Sequence, residues 1–139
     1  MGIEKLDMSW IDYVDTDIVD IYPIQIANCD RLNKHNAVYI FDEVGSGKTI
    51  TSGLIVLNYL YNNANKEVLV ITTNALSTPA QGKLQGQFLK DWYEKLPFKE
   101  LKLTDRIKIT NNHYSNFQEE HEYGLIIIDE AHIFLVNRL

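Results

Sequence analysis

The chain has 139 residues, 45% hydrophobic and 11% aromatic, which suffices for one domain with a single core. Its one cysteine, Cys29, excludes a disulfide within the chain, and no apolar run reaches the ~18 residues of a membrane span, so we expect a cytoplasmic protein without a membrane anchor. The net charge of −6 by itself argues against binding to nucleic acid, although its distribution is uneven.

The first twenty residues form an acidic segment, in which six carboxylates and one lysine give a local charge of −5. Its apolar residues lie near helical spacing: Trp10, Ile11, Val14 and Ile18. The segment is therefore predicted to be either a short docking helix or a tail.

Strands and helices alternate along the rest of the chain. The predicted strands cover 37–41, 68–72, 107–110 and 125–129, and the predicted helices cover 23–34, 48–63, 84–96 and 112–121. Because strands that alternate with helices pack as a sheet between helical layers, we predict a three-layer α/β domain with a mostly parallel sheet.

Residues 37–52, AVYIFDEVGSGKTITS, combine a strand, a glycine-containing loop and the start of a helix. This order is the context of a phosphate-binding P-loop, in which glycines let backbone N–H groups close around phosphate oxygens. Lys48 can then reach the β- and γ-phosphates, and the Thr49 hydroxyl can ligate Mg²⁺. Asp42 stands where the strict pattern has its first glycine.

A second motif lies at residues 123–132, YGLIIIDEAH, where an apolar strand ends in Asp129 and Glu130. In P-loop NTPases a carboxylate at this position holds Mg²⁺, and the next one polarises the attacking water. Because parallel strands end on the same edge of a sheet, both carboxylates can lie beside the phosphate loop. Alone, this pair would be an ordinary acidic strand exit, but downstream of the P-loop it indicates a site for nucleotide hydrolysis.

The two motifs resemble motifs I and II of the superfamily-two helicases and translocases. DEVGSGKT (42–49) looks like motif I, and DEAH (129–132) looks like motif II. The form with Asp42 in place of the first glycine is similar to the Swi/Snf-type DNA translocases, and Trp92 resembles a tryptophan of that branch. The resemblance implies a RecA-like P-loop domain with an α/β/α arrangement.

The resemblance also implies ATP and Mg²⁺ as cofactors and assigns the site residues. Gln25, in the sequence YPIQ, resembles the glutamine that reads adenine in this family. The implied nucleotide-binding residues are Gln25, Asp42, Glu43, Val44, Gly45, Ser46, Gly47, Lys48 and Thr49. The implied catalytic residues are Lys48, Asp129 and Glu130, and the implied Mg²⁺ ligands are Thr49 and Asp129.

The family's second RecA-like domain, which carries an arginine finger, would lie beyond Leu139. We therefore expect an acidic segment at 1–20 and a partial RecA-like domain at 21–139, incomplete at its C-terminus. The expected partner of the full-length protein is nucleic acid, with DNA favoured over RNA. The segment Lys66–Lys108 has a local charge of +3, which suits contacts with a phosphate backbone, but a solvated lysine-rich helix face explains it equally well.

Two functions remain open from the sequence. The chain is either the ATP-binding part of a nucleic-acid-dependent ATPase, such as a helicase or DNA translocase, or a non-hydrolysing P-loop module that binds nucleotide or a partner protein. The complete set Lys48, Thr49, Asp129 and Glu130 favours the first function. The short chain favours the second for the isolated polypeptide, which we expect to be inactive or nearly so as an ATP hydrolase.

Overall fold

A computed structural model describes residues 3–35, 37–39, 48–72, 87–111, 122–128 and 133–136. The helices are α1 (Pro23–His35), α2 (Lys48–Asn62) and α3 (Gln87–Lys95), with 3₁₀ helices at Ser9–Tyr13 and Thr104–Arg106. The strands are β1 (Ala37–Tyr39), β2 (Val68–Thr72), β3 (Ile107–Asn111), β4 (Leu125–Ile128) and β5 (Ile133–Val136). The predicted alternation of strands and helices is confirmed from α1 to β3, and the helix predicted at 112–121 lies outside the described residues.

The described strands form one sheet in the order β1-β5-β4-β2-β3. β2 is parallel to both β3 and β4, whereas β5 is antiparallel to both β4 and β1. It follows that β1 runs in the same direction as β4, and that four of the five strands share one direction. The α/β fold with a mostly parallel sheet is therefore confirmed, with β5 as a strand that the sequence analysis did not predict.

The register of the sheet brings the ends of the parallel strands to one edge. Ile133 of β5 pairs with Tyr39 on one side and with Ile128 on the other. β1 and β4 therefore end at the same level, separated by two strand spacings of about 4.8 Å each. The carboxyl edge of the parallel strands is where ligands bind in open α/β sheets, so the two predicted motifs follow strands that end at the expected edge.

Both faces of β2, which pairs with β4 on one side and β3 on the other, are buried. Val68 and Val70 belong to the main core cluster, while Leu69 and Ile71 are buried on the opposite face. On the core side the register aligns Val68 with Leu125 and Ile107, and these residues are also buried. A parallel strand covered on both faces is typical of a sheet that lies between two layers.

Helix α2 lies at the centre of the core, and each residue from Thr51 to Leu60 is buried. α1, α3 and the first 3₁₀ helix all contact it. From α3, Trp92 is fully buried and stacks on Phe98 with ring centroids 5.5 Å apart. Trp92 is thus a core residue.

The acidic N-terminal segment is docked on α1 through Ile3 and on α2 through Asp7 and Trp10. Trp10 is fully buried, and its Nε1 donates a hydrogen bond to Asn58 Oδ1 at 3.1 Å. Asp7 N–H donates to Asn62 Oδ1 at 2.6 Å, and Asn62 Nδ2 donates back to the Asp7 carbonyl at 2.9 Å. Of the two predicted forms, a docked helix describes this segment, although the helix is a short 3₁₀ one.

No described helix combines the length and apolar character that crossing a membrane requires.

Candidate nucleotide-binding site

The site begins where α2 begins, at Lys48, which is the predicted first residue of the helix after the P-loop. The first N–H groups of an α-helix have no partner within the helix, and its dipole places positive charge at this end. A helix N-terminus after a glycine-containing loop is consequently suited to a phosphate group. The backbone of Lys48 and Thr49 forms this first turn, whereas residues 42–47 lie outside the described part of the chain.

The structure brings Gln25 next to the first turns of α2. Gln25 is only 6% exposed, and its Nε2 donates a hydrogen bond to Thr51 Oγ1 at 3.1 Å. Thr51 lies three residues after Lys48, which is about one helical turn. A residue of α1 and the start of α2 are thus in contact, although 26 positions separate Gln25 from Thr51.

The start of α1 explains why Gln25 points in this direction. Pro23 occupies the first helical position, where its missing N–H costs no helical hydrogen bond. Gln25, two residues later, accepts a hydrogen bond at Oε1 from the backbone N–H of Tyr22 at 2.7 Å. This is the back-reaching half of a capping box, in which a Glu or Gln side chain satisfies the N–H of the N-cap residue. The cap and the bond to Thr51 together hold the carboxamide.

The described residues fit a nucleotide in two respects. The N-terminus of α2 offers N–H groups that have no partner within the helix, which is the kind of group that binds phosphate. The Gln25 carboxamide has two lone pairs on its oxygen and two N–H groups on its nitrogen. Its hydrogen bonds to Tyr22 and Thr51 use one lone pair and one N–H, which leaves one acceptor and one donor. A side chain with one of each suits a heterocyclic base edge.

The predicted carboxylates fall between two described strands. β4 ends at Ile128 and β5 begins at Ile133, so Asp129 and Glu130 belong to the connection between them. These two residues lie outside the described residues, as do Asp42, Glu43, Val44, Gly45, Ser46 and Gly47. The roles of these residues stay predictions.

Of the two described arginines, Arg106 is bound far from the start of α2, and Arg31 is bound within α1. Arg106 Nε donates to the Lys66 carbonyl at 2.8 Å, and its Nη2 donates to the Asn63 carbonyl at 2.5 Å. This places Arg106 beyond the C-terminal end of α2, a helix of 15 residues and therefore about 22 Å long. Arg31 Nη1 donates to Asn28 Oδ1 of its own helix at 3.3 Å.

Sequence reasoning missed Thr51. The residue belongs to no motif, and its only signal is helical spacing, since the third residue after Lys48 lies on the same side of the helix. Its partner, Gln25, lies on another helix, so the pairing depends on how α1 packs against α2.

A comparison with protein families identifies one match that covers most of the chain. The family described as "Type III restriction enzyme, res subunit" matches residues 8–137. Its domain is a superfamily-two helicase-like N-terminal domain, which confirms the superfamily but does not single out the Swi/Snf-type branch. Neither the curated proteins nor the solved structures include a significant match to the chain.

Proposed function

Because the chain belongs to the family of the type III restriction enzyme res subunit, we propose that it is the ATP-binding part of a nucleic-acid-dependent ATPase. The observation that carries the proposal is the contact between Gln25 and Thr51, one turn into the helix that begins at Lys48. A base-reading group and a phosphate-binding helix end must lie within the length of one nucleotide, and this contact supports that requirement.

In the proposed site each residue type has a distinct task. The loop 42–47 and the first turn of α2 bind the phosphates through backbone N–H groups, and Lys48 neutralises the β- and γ-phosphate charge. Thr49 and Asp129 hold Mg²⁺, which supplies charge neutralisation when bound with the nucleotide. Glu130 orients the attacking water, and Gln25 binds the base.

The narrower proposals rest on fewer residues. Asp42 in place of the first glycine supports a Swi/Snf-type translocase, and therefore DNA as the polymer. The local charge of +3 between Lys66 and Lys108 supports a contact with a phosphate backbone. A cytoplasmic location is proposed from the single cysteine, Cys29, which forms no disulfide within the chain.

Titration calorimetry with Mg²⁺-ADP tests the phosphate site. We expect the chain to bind ADP with micromolar affinity or weaker, which corresponds to roughly −8 kcal/mol or a less favourable value. Lys48→Ala should abolish the measurable heat of binding, because it removes the cation that faces the β-phosphate. Lys34→Ala is the matched control, since Lys34 is an exposed lysine in the last turn of α1, paired with Asp30. Equal affinity for wild type and Lys48→Ala would show that the loop is not the phosphate site.

The same titration separates the two predicted carboxylates. Asp129→Ala should weaken ADP binding in the presence of Mg²⁺ and leave binding in EDTA unchanged, because only the metal-dependent part is lost. Glu130→Gln should leave binding intact, since it keeps the shape of the side chain while removing the charge that orients water. If Asp129→Ala binds Mg²⁺-ADP as well as wild type does, Asp129 is not a metal ligand.

A further inference from the structure

Two hydrogen bonds constrain the Gln25 carboxamide: the bond from Tyr22 sets its orientation, and the bond to Thr51 sets its position. The donor facing Oε1 is the backbone N–H of Tyr22, which can only donate, so the carboxamide atom in this position must be the oxygen. The nitrogen Nε2 is consequently directed towards Thr51 Oγ1, which accepts its hydrogen bond. A flipped amide would place a donor against the Tyr22 N–H and lose that bond.

Thr51 contributes the second of these constraints from within the core. It is 7% exposed, and the hydrogen bond to Gln25 satisfies its buried hydroxyl as an acceptor. Since Thr51 is on α2 and Gln25 on α1, the bond also fixes the distance between the base-binding side chain and the helix that begins at Lys48.

The groups left free on Gln25 discriminate between purines. One N–H and one lone pair remain after the two internal hydrogen bonds. Adenine presents a donor at N6 beside an acceptor at N7, whereas guanine presents acceptors at both O6 and N7. A glutamine in a fixed orientation can therefore bind adenine through two hydrogen bonds but guanine through only one. If the amide were flipped, its free N–H would face the N6 donor of adenine and its free lone pair would face the N7 acceptor. Neither hydrogen bond to adenine would then form.

We propose that Thr51 is a positioning residue that makes the site selective for adenine nucleotides over guanine nucleotides. This rests on the proposed function, because it takes Gln25 as the residue that binds the base. Thr51 itself does not touch the nucleotide. The Tyr22 N–H sets the order of the free N–H and the free lone pair, and Thr51 acts by holding Nε2 of Gln25, so that this edge of the carboxamide stays in the position that binds the base.

Titration of Mg²⁺-ADP and Mg²⁺-GDP into three forms of the chain tests the proposal. Thr51→Val removes the hydroxyl and keeps the branched shape, whereas Thr51→Ser keeps the hydroxyl and removes a methyl group. We expect Thr51→Val to weaken ADP binding about threefold to tenfold, the effect of one hydrogen bond, with GDP affinity changed less than about twofold. Thr51→Ser should keep the wild-type ratio of ADP to GDP affinity.

A Gln25→Ala background removes the group through which Thr51 acts. In this background Thr51→Val should no longer change the ADP-to-GDP ratio, because the two residues act as a unit. Thermal melting establishes that each variant is folded. If Thr51→Val does not fold, Thr51→Ala takes its place, since it also lacks the hydroxyl.

The possible outcomes separate this inference from the proposed function. An unchanged ADP-to-GDP ratio in folded Thr51→Val would overturn the role of Thr51, while the loss of ADP binding in Lys48→Ala would still support the phosphate site. Equal decreases in the ADP-to-GDP affinity ratio in Thr51→Val and Thr51→Ser would show a steric effect and would also overturn the role of Thr51. Failure of wild-type chain to bind either nucleotide would overturn both.

Discussion

Gly53 allows two core helices to pack closely at the level of a single residue. A Cβ atom at this position of α2 would lie 2.5 Å from Leu96 Cδ1 and 2.9 Å from both Cδ1 and Nε1 of Trp92. Carbon atoms in contact are separated by about 3.5–4.0 Å, so a methyl group has no room here. The glycine is thus required by tertiary packing, although glycine disfavours a helix interior.

Gly53→Ala should lower the free energy of unfolding by up to about 2 kcal/mol. Overpacking a core usually costs about 1–3 kcal/mol, and the higher helix propensity of alanine offsets about 1 kcal/mol of that cost. Urea denaturation measures the difference. The double variant Gly53→Ala with Leu96→Ala should be more stable than the sum of the two single effects predicts, because shortening Leu96 makes room for the new methyl group. A more stable Gly53→Ala protein would contradict the close packing.

Cys29 is buried in α1, and its thiol is held in the neutral form. Burial, with a smaller contribution from the nearby Asp30 carboxylate, raises the pKa of the Cys29 thiol to about 12, from 9.0 for the ordinary group. The thiolate is the reactive form of cysteine, so this residue is expected to be inert in the folded chain. Cys29 therefore serves as a small buried apolar residue.

The Cys29 pKa predicts a pH dependence of stability at alkaline pH. The folded state binds the thiol proton more tightly than the unfolded state, so this contribution is fully present below about pH 9 and is lost as the pH rises towards about 12. Within this window the free energy of unfolding should fall with a slope of up to about 1.4 kcal/mol per pH unit from this group. Because other groups also titrate there, the measurement is the difference between wild type and Cys29→Ala in urea denaturation. Parallel pH profiles for the two proteins would contradict the shifted pKa.

At the level of elements, β5 connects two parts of the sheet. β1 and β4 run in the same direction without pairing with each other, and β5 pairs with both. Leu135 illustrates the arrangement, since it is aligned with Ala37 on one side and with Ile126 on the other. The strand that leads towards the P-loop and the strand that leads towards Asp129 are therefore aligned through β5.

Leu135→Pro should disrupt this connection. A proline removes a ladder hydrogen bond wherever it stands in a strand that is paired on both sides, and its ring is poorly accommodated there. We expect a loss of about 3 kcal/mol or more in the free energy of unfolding. Leu135→Ala is the matched control, because it shortens the side chain but keeps the N–H. Native-state hydrogen exchange should show reduced protection of the β1 amides in the proline variant only, and similar protection in both would mean that β5 does not hold β1.

At the level of the whole molecule, the distribution of arginines bears on hydrolysis. Phosphoryl transfer in P-loop enzymes is accelerated about 10³–10⁵-fold by an arginine that reaches the phosphates. Arg106 is bound to carbonyl groups beyond the far end of α2, and Arg31 is hydrogen-bonded to Asn28 on its own helix. Arg138, the remaining arginine, lies outside the described residues.

We therefore expect slow turnover when this chain is assayed alone. Steady-state phosphate release from Mg²⁺-ATP should stay well below about 1 s⁻¹, with or without double-stranded DNA. Lys48→Ala provides the background rate, because it removes the proposed phosphate contact. Turnover of about 1 s⁻¹ or more that depends on Lys48 would show that the chain supplies its own charge stabilisation and would contradict this prediction.

Local sequence signals predicted much of the fold. The bounds of β2 and the first residue of α2 agree with the sequence analysis because each depends on neighbouring residues: an apolar run for β2, and a glycine-containing loop followed by helix-forming residues for α2. The start of α1 is likewise local, since Pro23 and the capping by Gln25 both act within one turn.

The amino-acid sequence by itself determined the alternation of elements and the positions of both motifs, because hydrophobic periodicity and loop chemistry act over a few residues. Only the tertiary structure decided that Ile133–Val136 pairs between β1 and β4, and that Thr51 binds Gln25. A run of four apolar residues is compatible with several structures until it has partners. Likewise, a threonine hydroxyl within a helix has no partner specified by its neighbours in sequence. Both outcomes depend on residues far apart along the chain, which only the packed core brings into contact.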